Sequence, residues 1–322
     1  CGGETLEDCK ETFLSLKKYN ISAMPEYSIE AESSVEGFEN YKKDSINIIN
    51  FLGKEGLPFI AIKCTGLLDI DSLEKISSGE YTYDSKEYIS FKKRLVDLCD
   101  SAVRNNVQVL IDAEETWIQD AIDNVAIELM QIYNRKSSVI FLTHQCYRTG
   151  TLSKIKKNLE VSKEKKYFYG IKLVRGAYME KERNRALQKS YTSPIQISKL
   201  STDKEYNESL KYSIENIDRA SLWIGSHNEE SSLYLINLMN DNNLRPQDKR
   251  IWLSQLYGMS DNISYALSSL GYNIVKLIPF GPIDKTIPYL IRRANENSSV
   301  KGQSNRQFTL IKKEINRRKN LN

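Results

Sequence analysis

The chain has 322 residues, 40% hydrophobic and 27% charged, an ordinary balance for a protein with a sizeable core. Its longest apolar runs, such as Phe59-Ile60-Ala61-Ile62, fall far short of the roughly 18 residues that span a bilayer, so no transmembrane helix is expected, though a peripheral membrane contact stays open. The net charge of +4 is small, and basic residues are mixed with acidic ones, as in Lys163-Glu164-Lys165-Lys166, which reads as a solvated surface and not a nucleic-acid face.

The five cysteines, Cys1, Cys9, Cys64, Cys99 and Cys146, show no metal-ligand spacing, and an odd, scattered set points to free thiols in a reducing, cytoplasmic compartment. The chain begins at Cys1 with no visible signal peptide and reads as trimmed at its N-terminus.

In chain order, a first helix is expected from Thr5, with Asp8 at capping-box spacing. Apolar runs then recur as strands over Ile21–Tyr27, Phe59–Lys63, Val107–Asp112, Val139–Thr143, Gly170–Val174, Leu222–Gly225, Arg250–Ser254 and Asn273–Ile278. Several show little alternation, which is how strands covered on both faces read. Helical stripes lie between them: Phe91, Leu95, Leu98, Cys99 and Ala102 on one, and Ile122, Val125, Ala126, Leu129, Ile132 and Tyr133 on another. Near 261–270, Asp261 is expected to cap a helix that Gly271 stops. A last helix, 287–297, puts Tyr289, Arg292, Arg293 and Glu296 on one face. Eight strands alternating with helices give a parallel sheet, closed or doubly wound. No GxGxxG follows a predicted strand, which argues against a dinucleotide-binding Rossmann unit.

Polar residues gather where the runs end: Lys63; Asp112-Ala113-Glu114-Glu115; His144-Gln145; Ser226-His227-Asn228; Gln255. In a barrel these ends open on one mouth, where barrel active sites lie. Each has a plainer reading. Lys63 can snorkel to solvent, Asp112 can cap the next helix, and His227 can be a satisfied loop histidine. Lys172, flanked by Ile171 and Leu173, is costly in a buried strand unless it has a partner or faces a cavity. Arg292 and Arg293 suit a carboxylate, or merely pair with Glu296 at the surface.

The segments Asp112-Ala113-Glu114-Glu115, Gln145-Cys146-Tyr147, Lys172-Leu173-Val174-Arg175-Gly176-Ala177-Tyr178-Met179-Glu180, Ser226-His227-Asn228, Gln255-Leu256-Tyr257-Gly258-Met259 and Tyr289–Asn297 resemble the proline dehydrogenase family, in the family's order and over about residues 1–310. The remaining 311–322 read as a basic tail. The resemblance is strongest to single-function bacterial members, which share the Gly-Gly-Glu start and Tyr27-Ser28-Ile29-Glu30 and carry further N-terminal helices.

The resemblance implies a distorted (β/α)8 TIM-like barrel with a final helix over the mouth. It implies FAD, with Gln145, Lys172, Val174, Gly176, Ala177, Tyr178, His227, Asn228, Arg293 and Glu296 around the cofactor. It implies L-proline held by Lys63, Arg292 and Arg293, packed by Tyr289, Leu256 and Tyr178, with Glu30 as a gate to Arg292. Lys172, Asp112 and Lys63 would carry the catalytic roles. The implied reaction passes a hydride from proline C5 to flavin N5, gives Δ1-pyrroline-5-carboxylate, and hands electrons to a quinone. That acceptor would bring the protein peripherally to an inner membrane, on the matrix side in a mitochondrion. Two positions depart from the family pattern. Leu277 stands where proline-specific members have tyrosine, which leaves trans-4-hydroxyproline as an alternative substrate, and Ile197 stands where some have threonine near the adenine. A Schiff-base lyase using Lys63 or Lys172, a non-catalytic carboxylate-binding barrel, and a metal site leaning on carboxylates beside His144 and His227 remain alternatives from the residues alone.

Overall fold

The structure is a computed structural model that describes residues 2–27, 31–283, 286–287, 290–291, 312–313 and 315–319. Eight strands form one sheet: β1 (Ile21–Tyr27), β2 (Phe59–Ile62), β3 (Gln108–Ile111), β4 (Ile140–Gln145), β5 (Tyr169–Val174), β6 (Ala220–Gly225), β7 (Ile251–Leu256) and β8 (Ile274–Phe280). Their order is β1-β8-β7-β6-β5-β4-β3-β2, with every ladder parallel. From β2 to β8 each strand pairs with its sequence neighbours, β1 joins the far edge against β8, and the sheet curls into a nearly closed (β/α)8 barrel. Among the described residues no ladder joins β1 to β2. At the mouth that seam is spanned instead by Lys63 Nζ and Glu26 Oε1, 3.3 Å apart.

Ten helices among the described residues wrap the sheet: α1 (Lys10–Lys17), α2 (Val35–Glu55), α3 (Ile70–Ser78), α4 (Lys86–Arg104), α5 (Thr116–Tyr133), α6 (Thr151–Glu164), α7 (Met179–Gln188), α8 (Lys199–Glu215), α9 (Glu229–Asp241) and α10 (Asp261–Ser269). The stripe of Phe91, Leu95, Leu98, Cys99 and Ala102 is buried, as its period requires. On α5 the stripe is buried through Leu129, but Ile132, one residue from the helix end, is exposed. Thr5 and Asp8 make the two reciprocal bonds of a capping box, yet they close a turn, and α1 begins only at Lys10. Asp261 is not a cap. It is the first residue of α10, and its carboxylate goes to Lys276, while Ser260 precedes it at φ +52°. Gly271, at φ +88°, does follow the helix. Cys9, Cys64, Cys99 and Cys146 are buried free thiols. Most of the last predicted helix lies outside the described residues.

Strand alternation positions the site. Met24, Phe59, Leu110, Phe141, Trp223 and Val275 pack as an apolar layer inside the barrel. Two residues further along a strand, a side chain returns to the same face. Glu26, Asp112, Thr143, Gly225 and Leu277 therefore stand one layer above Met24, Leu110, Phe141, Trp223 and Val275, at the carboxyl mouth. On β5, Ile171 and Leu173 face the outer core and leave Lys172 to point inward.

Candidate active site

The mouth contains a cavity of about 290 Å³. Its floor is a chain of buried charges. Lys172 Nζ lies 2.5 Å from Asp112 Oδ1 and 5.0 Å from the centre of the Trp223 ring. Lys63 Nζ lies 3.5 Å from Asp112 Oδ2 and 3.3 Å from Glu26 Oε1. One carboxylate thus holds two ammonium groups, and a second carboxylate holds one of them. Lys63 does not snorkel, and Asp112 caps no helix, since Glu115 occupies the position before α5. Lys172 both faces a cavity and has a partner, which is what makes a buried strand lysine tolerable.

The connection after β5 forms one wall. Gly176 has φ +130°, and a Cβ there would fall 2.2 Å from the Tyr147 ring, so only glycine lets the chain pass. Ala177 N then donates to Gln145 Oε1 at 3.2 Å, and Gln145 Nε2 donates to Glu114 O at 2.8 Å. The Gln145 amide is thereby fixed between two backbones at the cavity edge. Val174 and Tyr178 complete this wall. Opposite stand Leu256 of β7 and Leu277 of β8.

His227 and Asn228 line the far side. The Asn228 side chain accepts from Ser231 N at 3.0 Å and caps α9, so its carboxamide is partly committed to that helix. His227 Nδ1 meets Ser260 Oγ at 2.9 Å. Burial, and next the charge of Lys276, lower its pKa to about 4, so the ring is neutral near pH 7. Arg175 joins this loop to the α8 side: it bonds Asp203 at 2.7 Å and Ser226 at 2.9 Å, and covers the Tyr206 ring.

All twelve predicted site residues that the structure describes, from Lys63 to Leu277, border this one cavity. Glu30, Tyr289, Arg292, Arg293 and Glu296 lie outside the described residues. His144 turns away from the cavity floor and bonds Tyr169 Oη at 2.9 Å, with burial lowering its pKa to about 3. Among the described residues no cluster of His, Cys, Asp and Glu is arranged to hold a metal.

Sequence reasoning missed Glu26, Trp223 and Lys276, and placed Glu114 at a strand end without giving it a role of its own. Alternation from Met24 would have pointed to Glu26. Glu114 is buried behind the cavity and accepts from Thr65 N at 3.1 Å and Thr65 Oγ1 at 2.5 Å, fixing the turn after Lys63. Burial raises its carboxyl to about 7.

The donor set suits a large ligand with a polar edge. Thr143 Oγ1 and Trp223 Nε1 are buried and have no hydrogen-bond partner among the described residues, although both residues border the cavity. Buried polar atoms are seldom left unpaired, so a bound group that supplies an acceptor and a donor fits here.

A (β/α)8 barrel with a buried, charged cavity at its carboxyl mouth is the architecture of a barrel enzyme site. A family model described as "Proline dehydrogenase" matches residues 9–306. "Proline dehydrogenase 1, mitochondrial" of Caenorhabditis elegans is 33% identical over 299 residues, 90% of this chain and 48% of that protein. "Carbapenem antibiotics biosynthesis protein CarD" of Pectobacterium carotovorum subsp. carotovorum is 32% identical over 323 residues, 98% of this chain and 83% of that protein. "Hydroxyproline dehydrogenase" of Xenopus laevis is 36% identical over 230 residues, 70% of this chain and 49% of that protein. In fold, the chain is similar to crystalline proline utilization A (PutA) from Bdellovibrio bacteriovorus, with a TM-score of 0.84 and 21% identity over 93% of this chain and 32% of that one. The chain belongs to the proline dehydrogenase family, and it spans about half the length of the nematode relative.

Proposed function

We propose that this protein oxidises L-proline to Δ1-pyrroline-5-carboxylate with FAD held at the barrel mouth, and that the electrons go on to a quinone. The observation that carries the reading is the Lys63–Asp112–Lys172 chain in a buried cavity of a family barrel. Bound FAD would supply the two-electron acceptor for the hydride that leaves proline C5. Gln145, Lys172, the Gly176–Tyr178 wall and His227 are the residues that would hold it.

Lys172 presents positive charge fixed by Asp112, placed to stabilise negative charge that develops on the acceptor side. Lys63 offers an ammonium to the substrate carboxylate, and Arg292 with Arg293 would complete that clamp and set distance and angle. Leu256 and Leu277 give the proline ring an apolar wall. Both lysines are engaged by carboxylates, which suits fixed charges better than a Schiff-base nucleophile. Among the described residues no helix is long and apolar enough to cross a membrane.

The test is an absorbance scan of protein purified or reconstituted with excess FAD. A flavin spectrum that stays with the protein through gel filtration is expected. A colourless protein under those conditions refutes the reading, and a borohydride-trapped lysine adduct would replace it with the lyase.

A further inference from the structure

Lys276 is wholly buried although it belongs to no part of the mechanism above. Val275 and Leu277 point into the barrel, so alternation sends Lys276 outward, beneath the segment that links β7 to α10. An ammonium has three N–H donors. Those of Lys276 find Met259 O at 2.6 Å, Asp261 Oδ1 at 2.7 Å and Leu256 O at 3.4 Å. All three acceptors belong to residues 256–261.

That segment is held in an uncommon shape. Gly258 has φ +78° and Ser260 has φ +52°, the second a left-handed residue that is not glycine. Such a conformation persists where its surroundings over-determine it. Ser260 precedes α10 but does not cap it with its side chain. Its hydroxyl instead meets His227 Nδ1 at 2.9 Å. A second tie runs in parallel: Gln255 Nε2 donates to Ser226 O at 3.2 Å, and Gln255 Oε1 accepts from Ser264 Oγ of α10 at 2.8 Å.

We infer that Lys276 is a positioning residue, which staples residues 256–261 so that Ser260 fixes the orientation and tautomer of the His227 ring at the cavity wall. The staple stands on its own geometry; its consequence for cofactor binding rests on the function proposed above. Charged groups on the elements around His227 are Lys276 of β8, Asp261 of α10, Glu229 of α9 and Arg175 after β5. Burial is the first cause of the lowered His227 pKa and the Lys276 charge the second, so the same ammonium that shapes the loop helps keep the ring neutral.

The chain has only two histidines, which makes the ring directly observable by nitrogen-15 NMR of histidine-labelled protein. In the unmodified protein, His227 is expected to show one fixed neutral tautomer at pH 7. In Lys276→Met and in Ser260→Ala its two ring nitrogens should move toward averaged shifts. In Lys276→Met its titration midpoint should also rise by about one unit. His144, bonded to Tyr169, serves as the internal reference and should not change. FAD affinity should fall about tenfold in both variants, the usual effect of losing a partner that orients a binding residue. A folded Lys276→Met protein with unchanged His227 tautomer and midpoint overturns the inference. If that variant does not fold, Ser260→Ala decides for the tautomer, and Asp261→Asn, changed at the exposed end of the staple, decides for Lys276. Unmoved ring shifts in either overturn the inference. The ring signals are read whether or not proline reduces a flavin, so failure of the proposed reaction and failure of the staple are separate results.

Discussion

Asp112→Asn probes the charge chain on which the site is built. Asparagine keeps the volume but removes the charge shared by Lys172 at 2.5 Å and Lys63 at 3.5 Å. Lys63 keeps Glu26, whereas Lys172 keeps, among the described residues, only the Trp223 face at 5.0 Å. Breaking a buried ion pair by removing one partner costs about 3–5 kcal/mol, and the remaining cation–π contact offsets ~1–2 kcal/mol of that at most. The net loss of ~1–4 kcal/mol should lower Tm by roughly 2–6 °C, because a chain of 322 residues unfolds with about 0.7 kcal/mol/K of entropy. Displacement of the Lys172 ammonium should reduce kcat by about a hundredfold, as small misplacements in a reacting site do. Differential scanning calorimetry and steady-state assays with proline and an artificial electron acceptor read both effects. Unchanged Tm together with unchanged kcat would show that Asp112 does not organise the two lysines.

The further expectations concern substrate choice, substrate binding and pH. Leu277 borders the cavity and offers no polar atom to a ring hydroxyl, so proline should exceed trans-4-hydroxyproline by about ten- to a hundredfold in kcat/KM, and Leu277→Ser should narrow the gap. Equal or better turnover of hydroxyproline by the unmodified protein would remove that preference. Arg292→Met should raise KM for proline by about one to three decades through loss of a charge-assisted clamp, and an unchanged KM would remove Arg292 from the carboxylate site. Glu114 has its carboxyl raised from 4.5 to about 7, so the folded chain binds the extra proton between those values. Its contribution to stability therefore falls as pH rises through that window, by on the order of 3 kcal/mol, and Glu114→Gln should flatten this slope in urea titrations. His144 and His227, lowered from 6.5 to about 3 and about 4, act in the opposite sense: their contribution is present above 6.5 and is lost as pH falls.

Much of the architecture was legible because barrel strands announce themselves. Ile21–Tyr27 has the same limits in sequence and structure, and the other strands moved by a few residues at their ends. Their carboxyl ends moved most. β4 runs on through His144 to Gln145 and β7 through Gln255 to Leu256, because polar side chains at a barrel mouth still pair their backbones in the sheet. The cavity-lining residues were legible where a motif falls at a strand end, as at Asp112 and His227, or sets a lysine inside an apolar strand, as at Lys172. Glu26 was not, because one acidic residue in a run containing Pro25 carries no motif, only its register above Met24. Lys276 was hidden for the opposite reason. Its value depends on three acceptors that come from another segment, and no local pattern encodes them. Asp261 misled because an aspartate before an apolar run usually caps a helix, and here a buried ammonium claims its carboxylate instead.

The most direct measurement is an anaerobic titration of the FAD-loaded protein with L-proline, followed at the flavin absorbance bands. Bleaching that saturates at one proline oxidised per flavin, with Δ1-pyrroline-5-carboxylate released and trapped, is the expected result. A bound flavin that keeps its full oxidised spectrum at saturating proline would contradict the proposed reaction.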